Sequence, residues 1–145
     1  MPTALFRFIL AALLLLPLGA HASDAEDFLN ANPMQQAKLL QDWAAQPDPA
    51  RIELVDALQQ DQLTLNGETK TVRLNNRLRG LIDNVQASQQ LLAADPKVRL
   101  AAAQTLQKTA VPAQLKFLDQ QVAAETNEDV HTALSLALAN LQLVD

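Results

Sequence analysis

Two histidines, three serines and two clusters of carboxylates are the side chains of this 145-residue chain best suited to chemistry. A serine hydrolase needs a nucleophile, a base and an orienting acid. Ser23, Ser88 and Ser135 all lack the G-x-S-x-G surroundings of a nucleophile elbow. His21 falls in the N-terminal leader, so His131 is the single base of the remainder, and nothing marks a partner for it. Cysteine is absent, which removes thiolate nucleophiles, disulfides and thiolate metal sites. The carboxylates group as Asp24, Glu26, Asp27 and as Glu125, Glu128, Asp129. Paired carboxylates do acid–base work when a cleft separates their pKa values. Here both groups fall at helix starts, where acids favour the helix dipole. Neither a calcium loop nor a phosphate-binding glycine loop is present. The chain therefore reads as a non-enzyme, with no catalytic residue, metal ligand or cofactor expected.

One charge feature rises above the background. Lys70, Arg73, Arg77 and Arg79 place four cations within ten positions of an otherwise acidic chain of net charge −5. A cation patch of this kind suits an acidic partner or anionic headgroups. The plainer alternative is a solvated face with ion pairs to acids such as Asp83 or Glu68. Cations at a helix start oppose the dipole, which singles the patch out as a candidate docking surface.

The composition narrows the remaining classes. The acidic balance excludes general nucleic-acid binding, which needs a net basic face. Aromatic residues make up 3% of the chain, with one tryptophan and no tyrosine, too few for a base-stacking platform. Residues 1–22 form a leader: Arg7 in a short n-region, an apolar run from Phe8 to Leu18, then Ala20-His21-Ala22 before Ser23. Small residues at Ala20 and Ala22 match a signal-peptidase site, so cleavage is expected after Ala22. The alternative is retention of the leader as an anchor. Either way, the chain from Ser23 onward is expected to be exported, to the periplasmic face of a bacterial inner membrane. After the leader no stretch approaches the roughly 18 apolar residues of a membrane span.

The exported part predicts an all-α fold of about seven helices in antiparallel pairs. Residues 23–94 form a first helical part and residues 95–145 a second. Helices are expected over Ser23 to Ala31, from Asn32-Pro33 to Gln46, and after Asp48-Pro49 with Ile52, Val55 and Leu58 inward. Residues 62–74 alternate apolar and polar around Asn66-Gly67, which predicts a small β-hairpin. Asn75 or Asn76 caps a helix running to about Ala93, with Leu78, Leu81, Ile82, Val85 and Leu92 apolar. Asp95-Pro96 opens the next, with Val98, Ala101, Ala102, Thr105 and Leu106 inward. Pro112 opens another, bearing Leu115, Leu118 and Val122. Thr126-x-x-Asp129 resembles a capping box for the last, which carries Val130, Ala133, Leu134, Ala137, Leu138 and Leu141. Met34 joins Ala37, Leu40, Trp43 and Ala44 on the expected buried face of the second helix. The predicted core comprises Leu40, Trp43, Val55, Leu58, Leu81, Val85, Val98, Leu106, Leu118, Val122, Leu134 and Leu138.

A repeat appears in the second part. The segment from Asp95 to Leu106 overlays that from Asn127 to Leu138 at an offset of 32 residues. Val98 falls on Val130, Arg99 on His131, Ala101 on Ala133 and Leu106 on Leu138. This D-x-x-V-R-x-x-A grammar is that of a HEAT-like helical repeat. It places Arg99 at an exposed repeat edge. The sequence stops where another unit would start, so the second part reads as truncated.

Three runs carry a family resemblance: TVRLNNRLRGLID from Thr71 to Asp83, LLAADPKVRLAAA from Leu91 to Ala103, and HTALSLALANL from His131 to Leu141. Together with the leader they resemble the N-terminal region of the urea ABC transporter permease, of the branched-chain amino-acid type. In that family a signal peptide and an exported helical region precede a multi-span membrane domain. The resemblance implies as partners that membrane domain, a second permease subunit, cytoplasmic ATPase subunits and a periplasmic urea-binding protein. It carries no functional residue of the family onto a position here. The other function compatible with these residues is a free-standing periplasmic helical-repeat adaptor that binds a protein partner.

Overall fold

Local capping signals set where the helices begin. The computed structural model describes residues 24–143; the expected leader, the cleavage positions Ala20, Ala22 and Ser23, and the last two residues lie outside them. Residues 24–30 are helical (α1). Helix α2 spans Pro33–Ala45, and Asn32 opens it with a reciprocal capping box. Its side chain accepts from Gln35 N at 2.8 Å while Gln35 Oε1 accepts from Asn32 N at 2.9 Å. Asp48 caps a 3-10 turn, Pro49–Arg51, that leads into α3, Ile52–Gln59. Strands β1 (Gln62–Leu65) and β2 (Glu68–Thr71) follow. Helix α4 spans Asn76–Gln90 and α5 Pro96–Thr109. A second 3-10 turn, Pro112–Gln114, precedes α6, Leu115–Ala124, and α7 covers Glu128–Leu143. The described residues are thus mostly helical, with seven α-helices and one two-stranded hairpin. None of these helices is long and apolar enough to cross a membrane.

Helix α4 is central. It packs against α2 and α3 on one side and α5 on the other, while α5 and α6 both pack on α7. Two apolar clusters result. The first joins α1 to α3, the hairpin and α4 as far as Val85, with Phe28, Leu40, Val55, Leu58, Leu63 and Ile82 at 0–1% exposure. The second runs from Ala87 to Leu141 and centres on Leu106, Leu118 and Leu134. Helix α1 is held to this frame by Phe28 against Trp43, ring centroids 6.0 Å apart, and by Arg51. The Arg51 guanidinium sits over the Trp43 ring and donates to Asp24 at 3.0 Å.

Several expectations change in detail. The ribbon pairs Gln62 with Thr71 at its open end and stops there, short of Leu74. Asn66 (φ 54°) and Gly67 (φ 80°) close it as a two-residue turn with both residues left-handed. Of the two expected caps, Asn75 is the one that opens α4, accepting from Leu78 N at 2.8 Å. Helix α4 ends at Gln90 instead of Ala93, because Leu92 and Ala93 bond three residues back in a tightened turn. The last helix is capped by Asn127, whose Oδ1 accepts from Val130 N at 3.1 Å, not by Thr126.

Burial corrects the predicted core at its edges. Nine of the twelve residues are buried, but Val98, Val122 and Leu138 are only half-buried. Met34, Ile52, Leu92 and Leu115 are exposed, Met34 at 78% and Ile52, expected inward on α3, at 47%. At 100° per residue, Met34 lies about 120° round α2 from the centre of the buried stripe, and Gln36 lies much nearer. The two helices that overlay at 32 residues differ likewise. Helix α7 buries Val130, Ala133, Leu134 and Ala137, whereas α5 buries Ala102, Ala103 and Leu106 and leaves Ala101 exposed. These stripes are rotated by about 90° relative to the overlay. Helix α5 must serve both α4 and α7, and that double contact sets its phase.

Candidate functional site

The turn between the hairpin and α4 positions the cation patch. Asp61 stands at the corner where α3 hands over to β1, in a left-handed conformation (φ 59°). Its carbonyl accepts from Val72 N at 2.8 Å. Its carboxylate faces Arg79 across two contacts, Nη1 to Oδ1 at 2.8 Å and Nη2 to Oδ2 at 3.0 Å. Arg73 and Arg79 line one groove of about 530 Å³ with Pro33, Asp61, Leu74 and Leu78. Lys70 and Arg77 are exposed outside that groove. Among the described residues, Lys70, Arg73 and Arg77 form no ion pair. Neither Glu68 nor Asp83 neutralises the patch; Asp83 instead accepts from Gln59 Nε2 at 2.9 Å. The structure thus gathers two of the four cations at one groove, ties one of those to Asp61, and leaves three free.

The other chemically capable side chains are occupied by structure or dispersed. The Ser88 hydroxyl is fully buried and donates to Ala44 O at 2.6 Å. His131 is exposed in the first turn of α7. Asp24 is paired with Arg51. Among the described residues no group of three His, Asp or Glu side chains converges as a metal site. We expect His131→Ala to leave the melting temperature within about 2 °C of the parent, as for most exposed substitutions.

Arg99 is the residue that sequence reasoning misplaced. It is not an exposed edge: its side chain is 18% accessible and that of Glu125 is 7%. Arg99 Nε and Nη2 donate to the two Glu125 oxygens at 2.8 and 3.1 Å. Its Nη1 donates to Ala93 O and Ala94 O at 3.0 and 2.8 Å. One guanidinium therefore fastens the α4–α5 turn to the α6–α7 turn. Glu125 Oε2 also accepts from Asn127 N at 3.1 Å, which braces the cap of α7.

The hydrogen bonds from Arg99, opposed by burial and aided by backbone donors, hold the Glu125 carboxyl below its usual range. A carboxyl whose folded pKa is depressed adds stability above its unfolded value, and that stability is lost as pH falls through the folded value. The melting-temperature gap between parent and Glu125→Gln should therefore be constant near neutrality and shrink below the ordinary glutamate value of 4.5. A gap that stays constant down to strong acid would mean that folding does not depress the Glu125 carboxyl, and that the ionised pair adds nothing to stability.

No protein-family model matches the chain, and no curated protein or solved structure matches it. The functional reading rests on the residues themselves.

Proposed function

We propose that this chain is the exported N-terminal region of a urea-type ABC permease, acting outside the membrane as an interaction scaffold. What supports the reading is the resemblance of three runs, Thr71 to Asp83, Leu91 to Ala103 and His131 to Leu141, behind a leader of secretory type. In this reading the scaffold lies at the periplasmic face of the inner membrane. The membrane domain, its partner subunit and the cytoplasmic ATPase subunits perform transport, and the scaffold's natural contact is the periplasmic urea-binding protein. A scaffold needs rigid helices and an exposed face of distinctive charge, not a catalytic cluster. The free cations Lys70, Arg73 and Arg77 supply such a face.

A second reading, a free-standing periplasmic adaptor, is favoured by one observation. An apolar groove of about 420 Å³ lies between the start of α3 and the end of α4, and its Ile52 and Leu92 are each 47% exposed. An antibody against residues 75–145, applied to separated membrane and soluble fractions, distinguishes the two. A membrane-confined band far above 15.8 kDa supports the permease reading; a soluble band below that mass overturns it in favour of the adaptor.

A further inference from the structure

We propose that the outer edge of β2 is a docking edge for an acidic, extended segment of a partner protein, which adds to the hairpin as a third strand. The geometry of the ribbon comes first. Val72 N bonds Asp61 O, which makes 61/72 a bonded pair in the observed register. Bonded and non-bonded pairs alternate along an antiparallel ladder. The pairs 63/70 and 65/68 are therefore bonded, and 62/71 and 64/69 are not. The hydroxyls of Thr64 and Thr69, 3.3 Å apart, fit the closer spacing of a non-bonded pair. It follows that the N–H and C=O groups of Thr69 and Thr71 point away from β1. Among the described residues they make no backbone bond outside the ribbon. All four residues of β2 are exposed, and while β1 lies against α3, the principal neighbour of β2 is β1 alone.

Charge selects the occupant. From Gln62 to Ile82 the only acid is Glu68, against Lys70, Arg73, Arg77 and Arg79. Arg79 is held by Asp61; Lys70 is exposed on the open strand, and Arg73 and Arg77 are exposed in the turn after it and the first turn of α4. An open edge of this kind pairs readily with any extended chain unless charge discourages it. A second copy paired so that the outward groups of Thr69 meet those of Thr71 would set Lys70 against Lys70, which like-charge repulsion opposes. An acidic strand meets both demands at once: its backbone satisfies the outward groups of Thr69 and Thr71, and its carboxylates meet the cations. An anionic lipid surface would use the cations and leave those backbone groups unanswered. The inference stands on the hairpin and the cations that follow it, and holds whether the chain is a permease scaffold or a free adaptor.

The test is a titration of the ¹⁵N-labelled chain with a capped decapeptide of alternating threonine and glutamate. The same peptide with lysine for glutamate, and vesicles containing phosphatidylglycerol, serve as comparisons. We expect the amides of Thr69 and Thr71 to shift and to gain protection from exchange with the acidic peptide alone. Thr69→Pro removes one outward N–H while sparing the ladder bonds; it should weaken binding about tenfold or more. The triple reversal Lys70→Glu, Arg73→Glu, Arg77→Glu leaves the backbone untouched and should weaken it at least as much, which keeps the test decisive if proline opens the ribbon. Absence of any shift at these two amides overturns the proposal. So does undiminished binding by Thr69→Pro with the ribbon intact, or a stronger response to the vesicles than to the peptide.

Discussion

Replacing Gln114 with alanine should destabilise the chain by about 3 kcal/mol, read as a lower denaturant midpoint at an unchanged slope. The Gln114 side chain is fully buried between the two apolar clusters. Its Nε2 donates to Ser88 Oγ at 2.8 Å and more weakly to Ala44 O at 3.4 Å. Its Oε1 accepts from Asn84 Nδ2 at 2.8 Å and from Val111 N at 3.0 Å. One amide thus joins α2, α4 and the turn ahead of α6. Some of its partners keep a second bond: Asn84 still donates to Thr109 O at 2.7 Å, and Ser88 to Ala44 O. Half-buried Val111 N does not, and a donor orphaned away from water costs up to about 1–3 kcal/mol. A cavity is added on top. Gln114→Leu restores volume but not bonding, so it should recover only the cavity share. A loss below about 1 kcal/mol for Gln114→Ala would show that water replaces the amide, and the seam would then be looser than its geometry.

The second large effect separates two leucines four residues apart on α7. Leu134 is 1% exposed inside the second cluster, whereas Leu138 is half-buried at its rim. Leu134→Ala should cost about 2–5 kcal/mol, the range for a core leucine whose site cannot collapse. Leu138→Ala should cost less than about 1.5 kcal/mol, because much of the side chain already meets solvent. Thermal or denaturant unfolding of both variants decides it. Equal losses would mean that the buried stripe of α7 does not run through Val130, Leu134 and Leu141.

What could be read from sequence was whatever a few neighbouring residues determine among themselves. Asn32-Pro33, Asp48-Pro49 and Asp95-Pro96 each announce a cap followed by proline, and each opens a helix. Asn66-Gly67 names its own turn. The phase of a buried stripe is different in kind, because it depends on which helices lie alongside; hence Val98 and Ala101 were misassigned on α5. Arg99 was misread because its partner Glu125 is 26 residues away and its carbonyl acceptors are backbone. A signal for the buried seam did exist. Asn84 and Ser88 stand one helical turn apart, a polar pair on the apolar side of α4 beside Leu81 and Val85. Polar residues on a buried face need partners, and Gln114, which follows a proline in a helix start, is one of them. Of the candidate patch, the four cations were evident from their spacing. Which of them share a groove was not, since the turn over residues 72–75 decides that.

The passage of α4 through both clusters also orders the making of the molecule. Every residue of the first buried cluster lies at or before Val85, so when the chain grows from its N-terminus that cluster can close once α4 has emerged. The second cluster must wait for Leu141. In the interval the end of α4 and its C-cap present Ala87 and Leu91 to water, with Ser88 and Asn84 awaiting Gln114. The nascent chain therefore carries a front half whose buried cluster is in place but which still lacks Val111 and the Gln114 bonds to Ala44, Asn84 and Ser88.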